Sequence, residues 1–224
     1  MVLRMNAELA RFNMIEQQIR PWQVLDPGVL SLLASIRRED FVPAAHKAMA
    51  FVDTQVPLLD GVPGACMLEP KVEARLLQEL HVKHHERVLE IGAGSGYMAA
   101  LLAHKAQDVV SLEIRPELVA LATDNLKRAG LSRVRVLQAD GAQKLPVEGP
   151  FDVILLSGSV AEVPKALLQQ LKVGGRLAAI VGHEPIMRAR IVTRAGENAW
   201  SEVDAFDTVA PRLQGFGEPS RFTF

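Results

Sequence analysis

The sequence predicts an α/β fold built on a mostly parallel, doubly wound sheet, on three observations. A short apolar strand over residues 88–91 runs through a glycine turn into an apolar stretch over 97–103. Strand and helix patterns then alternate up to Val181, which is how parallel sheets covered on both faces are encoded. Beyond residue 186 the pattern changes to RARIVTR and WSEVDAFDTVA, the alternation of apolar and polar side chains expected of antiparallel strands.

In chain order, residues 6–20 place Leu9, Phe12, Ile15 and Ile19 at helical spacing, and Pro21 ends the pattern. Asp26 and Pro27 supply an N-cap and a first-turn proline for the helix VLSLLASIRR. Residues 1–60 are thus expected to form a helical extension. The segment 51–70, rich in Pro and Gly, reads as irregular. Pro70 opens a helix whose Val72, Leu76, Leu77 and Leu80 share a face. After the central strand and its helix, strands are expected at 109–112, 134–137, 153–156 and 176–181, with helices at 116–128 and 164–171. The whole chain is expected to be one domain, with the extension at 1–60, a core at 61–185 and an antiparallel segment at 186–224.

Composition narrows the class. The 224 residues are 49% hydrophobic and 23% charged, as in ordinary globular proteins. Lys and Arg total 25 against 26 for Asp and Glu, a net charge of -1 that argues against nucleic acid or an anionic membrane as partner. The lone Cys66 permits no internal disulfide, and a reducing compartment, the cytoplasm, is expected. Charges interrupt the N-terminal stretch too often for a signal-peptide core. No stretch approaches the roughly 18 apolar residues of a membrane span.

The chemistry centres on the glycine turn. Gly92, Gly94 and Gly96 alternate with Ala93 and Ser95, so the backbone turns sharply and comes close to a ligand beside the free N–H groups of a helix start. A dinucleotide fingerprint needs a further glycine three residues after the second. That position is Tyr97. Glu90, just before the turn, suits a cation better than a pyrophosphate, and E-x-G-x-G-x-G fits S-adenosylmethionine, which carries a sulfonium and an ammonium. Open parallel sheets bind ligands at the carboxyl ends of their strands. Glu113 ends the second strand and can accept from ribose hydroxyls; Asp140, before Gly141, ends the third and can accept from an adenine amino group. Ser157 and Gly158 end the fourth and leave room for a ligand. Singly, each reads as a solvated strand end or a turn. Three acids at three successive strand ends favour an adenosyl cofactor.

VLEIGAGSGY, the strand ending in Glu113, ADG at 139–141, GPFDVILLSG at 149–158 and LLQQLKVGGRLAAIVG at 167–182 resemble the protein-L-isoaspartate O-methyltransferases. MIEQQIRPWQVLDPGVL, REDFVPAAHKAMAFVD and VPL are similar to the helical extension of those enzymes, so the resemblance runs over about residues 10–215. It implies a Rossmann-like class I methyltransferase fold. It also implies methyl transfer from S-adenosylmethionine to the α-carboxylate of L-isoaspartyl residues in damaged proteins, the ester then cyclising to a succinimide that reopens as aspartate.

Carried over residue by residue, the cofactor set is Glu90, Gly92, Gly94, Gly96, Glu113, Asp140 and Gly141, and Ala93, Ser95 and Ser157 are expected to bind the cofactor beside them. The loop over the methyl group is 66–70. The family has a Thr-Ile-Ser-Gln-Pro-like run there, whereas this chain reads Cys-Met-Leu-Glu-Pro, so Leu68 stands at the hydroxyl position and Glu69 at the amide position. No catalytic side chain is assigned. The family's Phe-Val-Pro-Leu-like strand is replaced by residues 209–213, VAPRL. The acceptor pocket is expected between the 66–70 loop with Leu68 and Glu69, the segment from Asp53 to Leu58, Ser157 and the segment near Val209.

Two alternatives stay open: a class I methyltransferase with another carboxylate or small-molecule acceptor, and a non-catalytic S-adenosylmethionine-binding protein. An NAD-linked enzyme is more distant. His81, His84 and His85 stand at metal-ligating spacing but fall at a helix C-terminus, where such residues are expected anyway, so no metal is expected. Cys66 has no obvious His partner, and Trp22 and Trp200 read as packing residues. A monomer or weak homo-oligomer is expected.

Overall fold

The structure is a computed structural model that describes residues 2–218, with side chains from residue 6 onward. The N-terminal region is helical but not one helix. α1 (Val2–Met14) continues as a π-helical turn over Ile15–Ile19 and a 3-10 turn over Arg20–Trp22, so Pro21 sits inside the closing turn and not beyond it. Met14, Ile15 and Ile19 are buried, whereas Leu9 and Phe12 are 59% exposed, because only the C-terminal half of this region packs on the protein. α2 (Pro27–Ser35) starts as its sequence predicts, the Asp26 carboxylate accepting from the Val29 N–H at 2.9 Å.

The segment expected to be irregular contains a small hairpin. β1 (Val56–Pro57) pairs antiparallel with β2 (Cys66–Met67), and the Leu58 N–H reaches the Ala65 carbonyl at 2.8 Å. α3 (Pro70–Leu80) follows and ends in a left-handed residue, His81, at φ 45°.

A seven-stranded sheet forms the centre, in the order β5-β4-β3-β6-β7-β8-β9. Its strands are β3 (Arg87–Ile91), β4 (Asp108–Glu113), β5 (Arg135–Gln138), β6 (Phe151–Val160), β7 (Leu171–His183), β8 (Ile186–Gly196) and β9 (Ala199–Thr208). The first five are parallel to one another and the last two antiparallel. α4 (Tyr97–Lys105) and α5 (Pro116–Arg128) make the crossovers on one side of β3. The period of two sorts the strand residues between faces. Val88, Val153 and Leu155 join the core under α2 to α5, while Leu89, Ile91, Ile154 and Leu156 join the core under α6 (Lys165–Leu168).

Two elements differ from expectation. The helix expected over 164–171 is the single turn α6, because Leu171 already pairs with Phe151 at the start of β7. The fourth parallel strand does not end at Ser157-Gly158 but runs to Val160 through an irregularity between Leu155 and Ser159. It is prolonged because the C-terminal segment lies beside it: Ser159 N–H donates to the Pro211 carbonyl at 2.8 Å and Leu213 N–H to the Ser159 carbonyl at 2.9 Å.

Candidate functional site

The carboxyl ends of β3, β4 and β5 meet at the glycine turn. Gly92 and Ala93 donate to the Leu112 carbonyl at 2.8 and 3.1 Å, which binds the turn to the next strand. Gly94 donates its N–H to Glu113 Oε2 at 3.0 Å, and Glu113 Oε1 accepts from the Arg115 N–H at 3.0 Å. The acid that ends β4 therefore stands directly against the turn. Gly96 has φ 82°, and a Cβ there would lie 3.1 Å from the Ala122 carbonyl oxygen, so only glycine lets α4 begin this close to α5.

One cleft is lined by Gly92, Gly94, Glu113, Gly141 and Ser157, with Cys66 on the opposite wall. A narrow second cavity lies between residues 66–68 and residues 92–95, and Glu90, Glu73 and Ser157 face it. Ala93 and Ser95 line this second cavity; the Ser95 hydroxyl accepts from the Tyr97 N–H at 3.3 Å. Asp140 lines neither cavity, although its neighbours Ala139 and Gly141 line the cleft, and its Oδ1 accepts from the Ala142 N–H at 2.9 Å. The chain passes close over it, since a Cβ at Gly215, where φ is 85°, would come within 2.2 Å of Asp140 Oδ1.

Glu90 is completely buried and accepts from the hydroxyls of Ser111 at 2.6 Å and Ser157 at 2.8 Å. Burial pushes its carboxyl up to about 8; the two serines act against this, and Glu73 and Glu113 add to it. A buried acid with no cationic partner among the described residues is expensive unless a cation arrives. That observation, with the glycine turn and Glu113, makes the residues present fit a cationic nucleoside cofactor.

The acceptor side is arranged differently from expectation in part. Leu68 is buried at the narrow cavity, and its carbonyl accepts from Arg38 Nη2 at 2.8 Å. Glu69 precedes α3 and accepts from Gln55 Nε2 at 3.3 Å, leaving its other carboxylate oxygen buried without a partner. Asp53 pairs with Lys71 at 2.6 Å, and Lys71 lies 4.5 Å from the Trp22 ring centre. Val209 is 37% exposed; the tail residues that line the cleft are Arg212, Leu213 and Gln214. Burial pushes the Cys66 thiol up to about 11, with Glu69 and Glu73 contributing, so it is not a ready nucleophile. His81 serves as the C-cap of α3, Trp22 packs edge-on against Phe206 at 5.7 Å, and Trp200 packs on the sheet.

Sequence reasoning missed Glu73 and Arg38, and placed the tail at the site through Val209 where the cleft is lined by Arg212, Leu213 and Gln214. Glu73 had a signal: it precedes Leu76, Leu77 and Leu80 by three, four and seven residues, placing an acid on the buried stripe of α3. In the structure it is buried and paired with Arg38, itself fully buried. Nothing in RRED distinguishes buried Arg38 and Glu39 from exposed Arg37 and Asp40. The tail has no pattern of its own and reaches the site only because β8 and β9 return it there.

Comparisons place these features among known proteins. The family model for protein-L-isoaspartate (D-aspartate) O-methyltransferase matches residues 10–208. The chain is 41% identical over 172 residues to a protein-L-isoaspartate O-methyltransferase of Methanoculleus marisnigri, covering 77% of each chain. It is 38% identical over 187 residues to one of Koribacter versatilis, covering 83% of this chain and 82% of the relative. Among solved structures, a protein-L-isoaspartate O-methyltransferase superposes with a TM-score of 0.78 at 25% identity, over 92% of this chain and 66% of the other. A Plasmodium falciparum candidate for the same enzyme, in complex with S-adenosyl-L-homocysteine, gives a TM-score of 0.74 at 20% identity over 92% and 98%, a likeness of fold.

Proposed function

The chain belongs to the protein-L-isoaspartate O-methyltransferase family, and from that premise we propose how its own residues carry the reaction. The enzyme uses S-adenosylmethionine to methylate the α-carboxylate of L-isoaspartyl residues in damaged proteins. Bound there, the cofactor supplies a methyl group on a positively charged sulfur. The observation that carries the site assignment is the fully buried Glu90 beside the glycine turn, tied through Ser157 to the cleft that Glu113 enters.

Glu90 attracts the ammonium end of the cofactor, with Gly92, Ala93, Gly94, Ser95 and Gly96 offering close backbone. Glu113 accepts from the ribose, while Asp140 and Gly141 take the adenine end. The acceptor needs no base, because a carboxylate is already ionised at neutral pH. The chain's task is to hold oxygen, methyl and sulfur in line and to exclude water, effects that supply up to roughly 7–11 kcal/mol. Buried Met67 and Leu68 exclude water, and Arg38 fixes the loop through the Leu68 carbonyl. Backbone N–H groups of this loop replace the hydroxyl absent at position 68, and Asp53, Glu69 and Val209 border the peptide beyond it.

The chain acts as one domain, supported by a core that runs from Met14 through the sheet to Ala210. Its partners are isoaspartyl proteins or peptides. It works in the cytoplasm as a monomer or weak homo-oligomer without nucleic acid or membrane, a reading supported by the balanced charge and lone cysteine. Among the described residues no helix is long and apolar enough to cross a membrane, and no group of three His, Cys, Asp or Glu is disposed to hold a metal.

Labelled S-adenosylmethionine with a matched isoaspartyl and aspartyl peptide pair tests this. Base-labile label on the isoaspartyl peptide alone is the expected result. Cofactor binding without transfer to either peptide would move the activity to another acceptor.

A further inference from the structure

Two carboxylates face the narrow cavity at the glycine turn, and only Glu90 was expected there. Glu73 reaches it from α3, on the side of the loop that covers the turn. Neither meets a cation across the cavity. Glu90 is held by the Ser111 and Ser157 hydroxyls. Glu73 is held from behind by Arg38, which also donates to the Leu68 carbonyl and lies 5.1 Å from the Tyr97 ring centre. Arg38 itself is not part of the cavity wall, and no cationic side chain among the described residues is.

The surrounding groups are mostly acidic. Glu69 at the start of α3 and Glu113 on β4 act on Glu73 and Glu90 respectively, Cys66 on β2 and Tyr97 on α4 feel Glu73, and Arg38 is the cation of the group. Such a wall keeps its protons when the cavity holds a neutral group and ionises when it holds a positive one.

We propose that Glu73 is a specificity-determining residue of the cofactor site, forming with Glu90 an anionic wall that favours S-adenosylmethionine over S-adenosylhomocysteine. The inference rests on the cleft being the S-adenosylmethionine site. Methyl transfer to a carboxylate oxygen forms a C–O bond and breaks the C–S bond, whose electron pair stays on sulfur as a neutral thioether. Substrate and product forms of the cofactor thus differ by one positive charge at the sulfur. Two acids along this cavity add a hold on the first that the second does not receive, so loss of the charge at sulfur promotes product release. Arg38 acts as a positioning residue, fixing the Glu73 carboxylate and the loop together.

Calorimetric titration of both ligands into wild-type, Glu73→Gln and Glu73→Asp proteins, without acceptor, tests this. Glu73→Gln is expected to weaken S-adenosylmethionine binding about ten-fold while leaving S-adenosylhomocysteine within about two-fold, with Glu73→Asp restoring part of the preference. Equal weakening of both ligands would mean that Glu73 only supports the fold, and an unchanged pair of affinities would mean that it takes no part; either overturns the inference. A measurement on wild-type protein covers the case in which Glu73→Gln does not fold. Because Glu73 and Glu90 both ionise more as pH rises, the affinity ratio should increase at least about three-fold between about pH 6 and about pH 7.5, below the titration of an ordinary α-amino group. A flat ratio also overturns it. Wild-type protein that binds neither ligand overturns the cofactor reading and this inference together, whereas binding of both with no preference overturns the inference alone.

Discussion

Glu90 shows how burial sets the behaviour of a single residue. Its carboxyl is pushed up to about 8 by desolvation, and that of Glu73 to about 7 for the same first reason, with Arg38 pulling against it. The folded protein therefore holds protons that the unfolded chain, with glutamates near 4.5, has released. A raised carboxyl contributes stability that is complete below its unfolded value and is lost as pH rises through the folded one. The melting temperature of cofactor-free protein should accordingly fall between about pH 6 and about pH 8. Glu90→Gln, neutral throughout, should flatten that slope in thermal scans while weakening S-adenosylmethionine at least about ten-fold. Parallel slopes for the two proteins would show that Glu90 is ionised in the empty fold.

At the scale of elements, the turn between β3 and α4 carries both the site and the packing of two helices. Gly96 is left-handed, and a side chain there meets the Ala122 carbonyl oxygen at 3.1 Å and Leu126 Cγ at 3.2 Å. Gly96→Ala should cost about 1–3 kcal/mol from the backbone conformation alone, read as a lower urea midpoint with an unchanged slope. A loss well below this would mean that the turn relaxes without disturbing α5. The hairpin of β1 and β2 works in the opposite direction. Its two paired residues on each side give little stability of their own, and the loop is held by Arg38. The buried cation adds to the apolar contact that Val56, Leu58, Met67 and Leu68 make with the core, and together they keep the loop closed over the turn.

At the scale of the molecule, one sheet gathers groups that are far apart in the chain: Glu73 before β3, Glu90 on it, Glu113 on β4, Gly141 after β5 and Leu213 beyond β9. A ligand that bridges them binds only the folded state. S-adenosylmethionine at about one hundred times its dissociation constant should add about 2.7 kcal/mol, or about 5–10 °C in melting temperature for a chain of this size. NAD at the same concentration should leave it unmoved, because Glu90 and Tyr97 stand where a pyrophosphate site needs neutral space and glycine. A shift with NAD would reverse that choice of cofactor.

The central strand, the glycine turn, the two flanking helices and the acid ending β4 were all legible in the sequence. Each is set by local patterns: apolar runs, a helix-starting proline, glycines where the backbone is crowded. The Leu68 and Glu69 substitutions were legible too, since they are departures from a family run. The length of β6 was not, because its last residues are held by Pro211 and Leu213, some fifty residues later in the chain. α6 shrank to a turn for a similar reason, its end taken by strand pairing with Phe151. Glu73 and Arg38 lay beyond local reading as a pair, since a buried ion pair depends on two side chains, 35 residues apart, being desolvated together. The sequence by itself determined the fold class, the cofactor and the family, because those follow from short segments whose chemistry is local. Only the tertiary structure decided which acids face the cofactor and which tail residues close the cleft, because burial and proximity are properties of the assembled sheet.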